Sequence, residues 1–346
     1  MAPGTQLARK AGRLVLALLL LAALLASCAP GIVPPLPRPD DDALAVAATP
    51  RTVRVTTSGI SLSFLPAKVA VDLGLYEEEG LQLELTPVSG GDAAVAAVLS
   101  GEADYTTFLA TAMAAISRGA PLRVIHYQSV RPMHVLVSRP EIATVFDLDG
   151  RRLGIRRLDD LTASEAYWLI ERHGLTDVAV LQLGSEAERL AALTAQRVDA
   201  TFLPLPWDLK AEQAGMRRLL DLGDVLELAH GGYATTLSRL HARPDEVRRV
   251  IRATNRGIAV VRDPAYHDVV AEIVAQWAEI ALPDAQYLVD AVRDAFPSTG
   301  LPTEAQVAGL LDLLGSAGVV PSSATVEEMV DLSLAEAVAR EMGLEP

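Results

Sequence analysis

The chain has 346 residues, half of them apolar, with 44 acidic side chains against 30 basic ones and a net charge of −14. Such an acidic balance disfavours nucleic acid as a partner, because its recognition relies on Lys and Arg contacts to phosphate. A single cysteine, Cys28, excludes an intramolecular disulfide and any cysteine-built structural zinc site.

Three basic residues, Arg9, Lys10 and Arg13, precede an apolar run of 13 residues over 14–26. A membrane-spanning helix needs roughly 20 apolar residues, so the run has the form of a secretory signal rather than a permanent anchor. It ends in Leu25-Ala26-Ser27-Cys28, which resembles a bacterial lipobox. The resemblance implies a signal peptide over 1–27, cleavage before Cys28 and lipid on its sulfur. Export is then to the outer face of the cell membrane or the periplasmic side of an envelope membrane. Residues 28–50 hold Pro30, Pro34, Pro35, Pro37 and Pro39, followed by three aspartates. Proline at this density favours an extended, solvated spacer, and acyl chains would hold it at the bilayer. The mature chain keeps 27 basic and 44 acidic residues, a net charge of −17.

Residues 53–57 alternate apolar and polar side chains and predict a strand. A loop over 58–64 leads into a helix over 66–79, with Pro66 tolerated in its first turn. Leu81-Gln-Leu-Glu-Leu predicts a second alternating strand, broken at Ser89-Gly90-Gly91. Asp92 caps a helix over 93–100 that ends at Gly101. A short strand at 104–107, a helix at 109–118 and strands at 122–130 and 132–138 complete this cycle.

Asp149-Gly150 marks a turn before a second cycle. A strand at 152–156 precedes Thr162-Ala-Ser-Glu165, a capping box opening a helix that stops at Gly174. A strand at 178–183 precedes a second box, Ser185-Glu-Ala-Glu188, and a helix over 186–196. Further strands follow at 200–203 and 233–237. From Pro244 the pattern is helical, with Val247, Ile251 and Ile258 on one face. A third box, Thr303-Glu-Ala-Gln306, opens a helix ended by Gly315.

Strand–helix alternation predicts an α/β fold with open sheets. The stretch Ala96 to Thr106 aligns without gaps on Ala191 to Thr201; each is a helix, a tight turn and a strand opening with Asp104 or Asp199. This predicts two Rossmann-like lobes of similar design, 51–130 with 233–346 and 131–232, flanking a cleft that closes about a hinge.

Four stretches support a more specific reading: Leu65-Pro-Ala-Lys-Val-Ala-Val-Asp-Leu-Gly-Leu-Tyr-Glu-Glu-Glu-Gly-Leu, Leu99-Ser-Gly-Glu-Ala-Asp-Tyr, Phe146-Asp-Leu-Asp-Gly-Arg-Arg-Leu-Gly-Ile and Arg189-Leu-Ala-Ala-Leu-Thr-Ala-Gln-Arg-Val-Asp-Ala. In order and spacing they resemble the ABC-importer solute-binding lipoproteins that take sulfonates, taurine, nitrate or the pyrimidine precursor of thiamine. The resemblance spans about residues 52–260. It implies the type II periplasmic-binding-protein fold, with extra helices at the C-terminus. It also implies delivery of a small solute to a membrane permease and its ATPase by a monomeric, non-enzymatic receptor. The ligand is left open between an anionic or zwitterionic solute and a vitamin-like aromatic one, and a sensor role in place of transport is also open.

In open α/β sheets a ligand lies beyond the carboxyl ends of the strands. That rule selects the loops at 58–64, 106–108, 157–164 and 204–207. Helix N-termini there offer free amides to an anion. Ser61, Ser63, Thr106, Thr107, Thr162 and Ser164 would add hydroxyls, and Arg156 and Arg157 a charge to clamp a carboxylate or sulfonate, unless Asp159 and Asp160 beside them neutralise it or bind a cationic amine themselves. Phe64, Phe108, Pro206, Trp207 and Tyr233 would supply walls. Each also has a plainer reading: Thr162 as a helix cap, Thr106 and Thr107 as strand residues, the aromatics as core. The six histidines show no metal-ligand spacing, and neither a nucleophile elbow nor a phosphate or dinucleotide loop is present. No catalytic residue, metal or cofactor is therefore expected.

Overall fold

The computed structural model describes residues 50–344. The signal segment, Cys28 and all of the tether but Pro50 lie outside the described residues. Among the described residues no helix is long and apolar enough to cross a membrane.

Among the described residues, ten strands form two five-stranded sheets. The first contains β1 (Arg51–Thr57), β2 (Leu81–Pro87), β3 (Tyr105–Thr106), β4 (Leu122–Tyr127) and β10 (Gly232–Thr236), in the order β2-β1-β3-β10-β4. The second contains β5 (His134–Ser138), β6 (Arg152–Ile155), β7 (Ala179–Gln182), β8 (Ala200–Pro204) and β9 (Arg217–Asp221), in the order β7-β6-β8-β5-β9. β1 runs parallel to β2 and β3, and β6 parallel to β7 and β8. The antiparallel strand of each sheet is the one that arrives from the other sheet, β10 in the first and β5 in the second. Parallel neighbours need a crossover helix between them. A strand entering from outside has none, and it fills the antiparallel slot.

The internal repeat is a repeated piece of chemistry. An Asp104 carboxylate oxygen accepts the backbone N–H of Arg54 at 2.8 Å, and one from Asp199 accepts that of Arg152 at 2.9 Å. Each aspartate thus ties the turn before one strand, β3 or β8, to that strand's parallel neighbour, β1 or β6. Arg239 pairs with Asp104, and Arg139 and Arg152 pair with Asp199.

The two crossing segments bond to each other. Gln128 N–H donates to Gly231 O at 2.7 Å, His230 N–H to Ser129 O at 2.9 Å, and Gly231 N–H to Ser129 Oγ at 2.7 Å. A Cβ on Gly231 would stand 2.6 Å from the carbonyl oxygen of Ser63, so only glycine admits that loop so close.

The C-terminal helices cover the first sheet. The helix Pro244–Arg262 buries Val247, Val250, Ile251, Ile258, Val260 and Val261. At about 1.5–3 kcal/mol per side chain, this face contributes on the order of 10 kcal/mol before conformational entropy is set against it. It crosses the helix Leu65–Asp72 at Gly257, whose Cβ would stand 2.1 Å from Pro66 O. The helix Glu304–Ser316 adds Leu310 and Leu314 to a core that Leu161 and Trp168 also join, from the helix Leu161–His173 beside the second sheet.

Several boundaries differ from the pattern reading. The helix placed at 66–79 is two, Leu65–Asp72 and Leu75–Glu78, separated by Gly74 at φ +72°. Strand β4 stops at Tyr127, short of 130. β9 was not apparent, because Arg-Arg-Leu-Leu-Asp has no alternation and none of its residues is fully buried. Gly315 lies inside its helix, which runs to Ser316. Asp160, not Thr162, caps the helix Leu161–His173, and its side chain accepts the amides of Thr162 and Ala163. Glu165 is then free of capping duty and points into the protein.

Candidate functional site

Between the sheets lies a narrow cleft enclosing about 80 Å³. Its first-sheet wall is the loop after β1 and the loop after β3. Ser61, Ser63, Phe64, Thr107 and Phe108 line it, together with Ser58. Ser61 Oγ and Ser63 Oγ lie 2.9 Å apart. Thr107 Oγ1 donates to Thr56 O at 3.2 Å, which holds the hydroxyl at the end of the strand.

The opposite wall comes from the second sheet. Arg156 follows β6, and its Nε donates to Asp160 at 2.5 Å. Thr162 Oγ1 accepts the Arg156 amide at 2.9 Å and donates to Asp160 Oδ1 at 2.6 Å. The Arg156 guanidinium lies 4.9 Å from the Phe108 ring centre on the other wall. Arg189 is buried, donating to Phe202 O at 3.0 Å and Gly184 O at 2.8 Å, with Glu186 at 3.6 Å.

The remaining lining includes two histidines. His134 opens β5, and its Nδ1 lies 2.7 Å from both carboxylate oxygens of Glu165. Burial raises the Glu165 carboxyl above its ordinary value, and His134 opposes that rise. His230, on the return crossing, meets the His134 ring edge-on at 5.3 Å between centres. Burial and the neighbouring His134 push His230 down to about 3, so its ring is neutral.

The structure brings Ser61, Ser63, Phe64, Thr107, Phe108 and Thr162 together on the cleft. It puts other expected site residues elsewhere. Tyr233 is fully buried in the first lobe, 3.2 Å from Tyr76 Oη through its own hydroxyl, and forms no wall. Thr106 is fully buried within β3, where its Oγ1 accepts the Phe108 amide. Ser164 is buried, its hydroxyl directed at Asp160 O. Pro206 and Trp207 do not line the cavity, and Lys210 lies over the Trp207 ring. Arg157 pairs with Asp159 and, at 2.7 Å, with Asp92 of the first lobe, bridging the lobes instead of facing a ligand. His134, Glu165, Arg189 and His230 were missed as site residues, because they come from four separate parts of the chain. His134 falls inside the strand predicted at 132–138, and no local pattern marks any of the four as a site residue.

The model of the family described as NMT1/THI5 like matches residues 61–265, more than half of the chain. The chain belongs to the NMT1/THI5-like family. It is 27% identical over 242 residues to riboflavin-binding protein RibY of Chloroflexus aurantiacus, covering 64% of this chain and 68% of that one. Two solved structures share the fold. The alkanesulfonate-binding protein SsuA from Xanthomonas axonopodis pv. citri, bound to MOPS, superposes with a TM-score of 0.67 at 19% identity, covering 83% of this chain and all of that one. The periplasmic nitrate-binding protein NrtA from Synechocystis PCC 6803 gives 0.72 at 10% identity, covering 86% and 90%. This member of the NMT1/THI5-like family therefore has the type II periplasmic-binding-protein fold, with its cleft where the two sheets face each other.

Proposed function

We propose that this protein is the extracytoplasmic receptor of an ABC importer. It captures a small organic solute between its lobes and presents it to a permease and its ATPase. The lobes would be 51–130 with 233–346 and 131–232, and lipid on Cys28 would hold the monomer at the membrane. The receptor performs no chemistry on its solute.

The observation behind the ligand class is the charge balance of the cleft. Arg156 faces Asp160 and Arg189 faces Glu186, so each guanidinium on the cleft already has a carboxylate partner. A solute with one uncompensated charge would leave a buried ion without a partner, which is strongly unfavourable. A zwitterion brings both signs, meets the hydroxyls of Ser61, Ser63, Thr107 and Thr162, and fits best. Thermal unfolding against taurine, alkanesulfonates, nitrate and carboxylates tests the class. A bound solute at 100 times its Kd should add about 2.7 kcal/mol. Nitrate stabilising the protein while taurine does not would sink the zwitterion reading. Cys28→Ser should release the chain from membranes with its binding intact.

A second reading is a planar heteroaromatic solute. Phe64 and Phe108 both line the cleft, and the relative from Chloroflexus aurantiacus is named for riboflavin binding. A flavin needs the lobes further apart than they stand around 80 Å³. Quenching of flavin fluorescence by the wild type, lost in Phe108→Ala, would favour this reading over the first.

A further inference from the structure

The balanced cleft leaves one group of side chains unexplained. His134, Glu165 and His230 each offer a donor atom, and these three atoms lie within 4.8 Å of one another. Three points so placed all fall within about 2.8 Å (4.8 Å divided by √3) of a common centre. Bonds of roughly 2.0–2.2 Å to a borderline-soft ion then need inward shifts of at most about 0.8 Å. Among the described residues no other cluster of three such side chains meets this condition.

A second observation points the same way. His230 Nδ1 is buried and has no hydrogen-bond partner. A buried polar atom without a partner costs about 1–3 kcal/mol, and a neutral imidazole nitrogen is a lone-pair donor suited to a metal. The 2.7 Å contacts of His134 Nδ1 to both Glu165 oxygens bring an imidazole and a carboxylate close enough to share one ion.

We propose that His134, His230 and Glu165 bind one divalent transition-metal ion of the zinc class at the floor of the cleft, with a coordination position open toward the solute space. The donor set of two imidazoles and one carboxylate favours Zn²⁺, Co²⁺, Ni²⁺ or Cu²⁺ over Mg²⁺ and Ca²⁺. The site goes beyond solute capture, and its test needs no solute.

The test uses the full chain without a histidine tag, stripped by a chelator and titrated with Co²⁺ alone, with no solute added. We expect one ion per chain, the strong visible absorption of low-coordinate Co²⁺, and its displacement by Zn²⁺ but not by Mg²⁺. His230→Ala and His134→Ala should each weaken binding by more than the roughly 100-fold that loss of an outer-shell partner costs. X-ray absorption at the zinc edge of the wild type serves where a variant does not fold, and should report imidazole nitrogens around the ion. Absence of stoichiometric Co²⁺ binding, a folded His230→Ala variant with unchanged affinity, or a zinc spectrum without histidine ligands would each overturn the proposal. Solute binding measured separately on the stripped protein keeps failure here distinct from failure of the receptor reading.

Discussion

Asp92 and Arg157 face each other between the two lobes, with Arg157 Nη2 2.7 Å from an Asp92 carboxylate oxygen. Asp92 lies in the first turn of the helix Gly91–Ser100, and Arg157 in the loop after β6. The pair joins parts of the chain that hinge motion would separate. Both side chains are partly exposed, at 59% for Asp92 and 33% for Arg157. Such a pair contributes about 0.2–1 kcal/mol. Arg157→Ala should therefore leave the melting temperature nearly unchanged while weakening solute binding about 2- to 5-fold. The effect should fall on the dissociation rate. Stopped-flow release would show it, and the swap Asp92→Arg with Arg157→Asp should restore part of the loss. An unchanged release rate would mean that the pair does not hold the closed form.

Gly257 sits where two helices touch. Its Cβ would stand 2.1 Å from the backbone oxygen of Pro66, and a backbone atom cannot swing aside as a flexible side chain can. Gly257→Ala should destabilise the protein by about 1–3 kcal/mol or more through forced separation of the helices. Denaturant unfolding measures this, and a neutral result would show that the crossing has slack.

His126 supplies a pH dependence. It lies in the first-lobe core, its Nε2 2.8 Å from Asn255 Oδ1 and its ring stacked on Tyr233. Burial lowers it from about 6.5 to about 4. The folded state therefore prefers the neutral ring. Its contribution is complete above pH 6.5 and is lost as the pH falls toward 4. The unfolding free energy of the wild type should drop through that window more steeply than that of His126→Gln, by up to about 1.4 kcal/mol per pH unit. Parallel slopes for the two proteins would contradict the assignment.

Asp199 closes the second-lobe turn. Burial works against its ionisation, but hydrogen bonds from the side chain and backbone of Arg152, aided by Arg139, prevail and hold it at about 2. Asp199→Ala leaves the Arg152 amide without its acceptor and takes one partner from each of the Arg139 and Arg152 guanidinium groups, and should cost about 1.5–3 kcal/mol. The stabilisation is present above pH 4 and disappears as pH falls from 4 to 2, so the variant and wild type should converge there in acid unfolding.

Much of the fold was legible along the chain, because its local signals agree with its tertiary contacts. The capping boxes at Ser185 and Thr303 form as read, since capping uses only residues three apart. The matching aspartates 104 and 199 marked the repeated sheet design, and the loops at 58–64 and 106–108 lie where strand ends meet the cleft. Tertiary structure decided the rest. Tyr233 looked like a wall, yet its strand is covered on both faces; Thr162 looked like a cap with Glu165 as its partner, yet Asp160 takes the cap and Glu165 turns inward. The grouping of His134, Glu165 and His230 joins residues 31 and 65 positions apart, and it exists only because two crossing segments meet beside one helix. Periodicity and capping are set by neighbours within about four residues, so the sequence alone determined the elements and their alternation. Charge pairing and side-chain convergence depend on which surfaces the two sheets turn toward each other, and only the folded chain determined those.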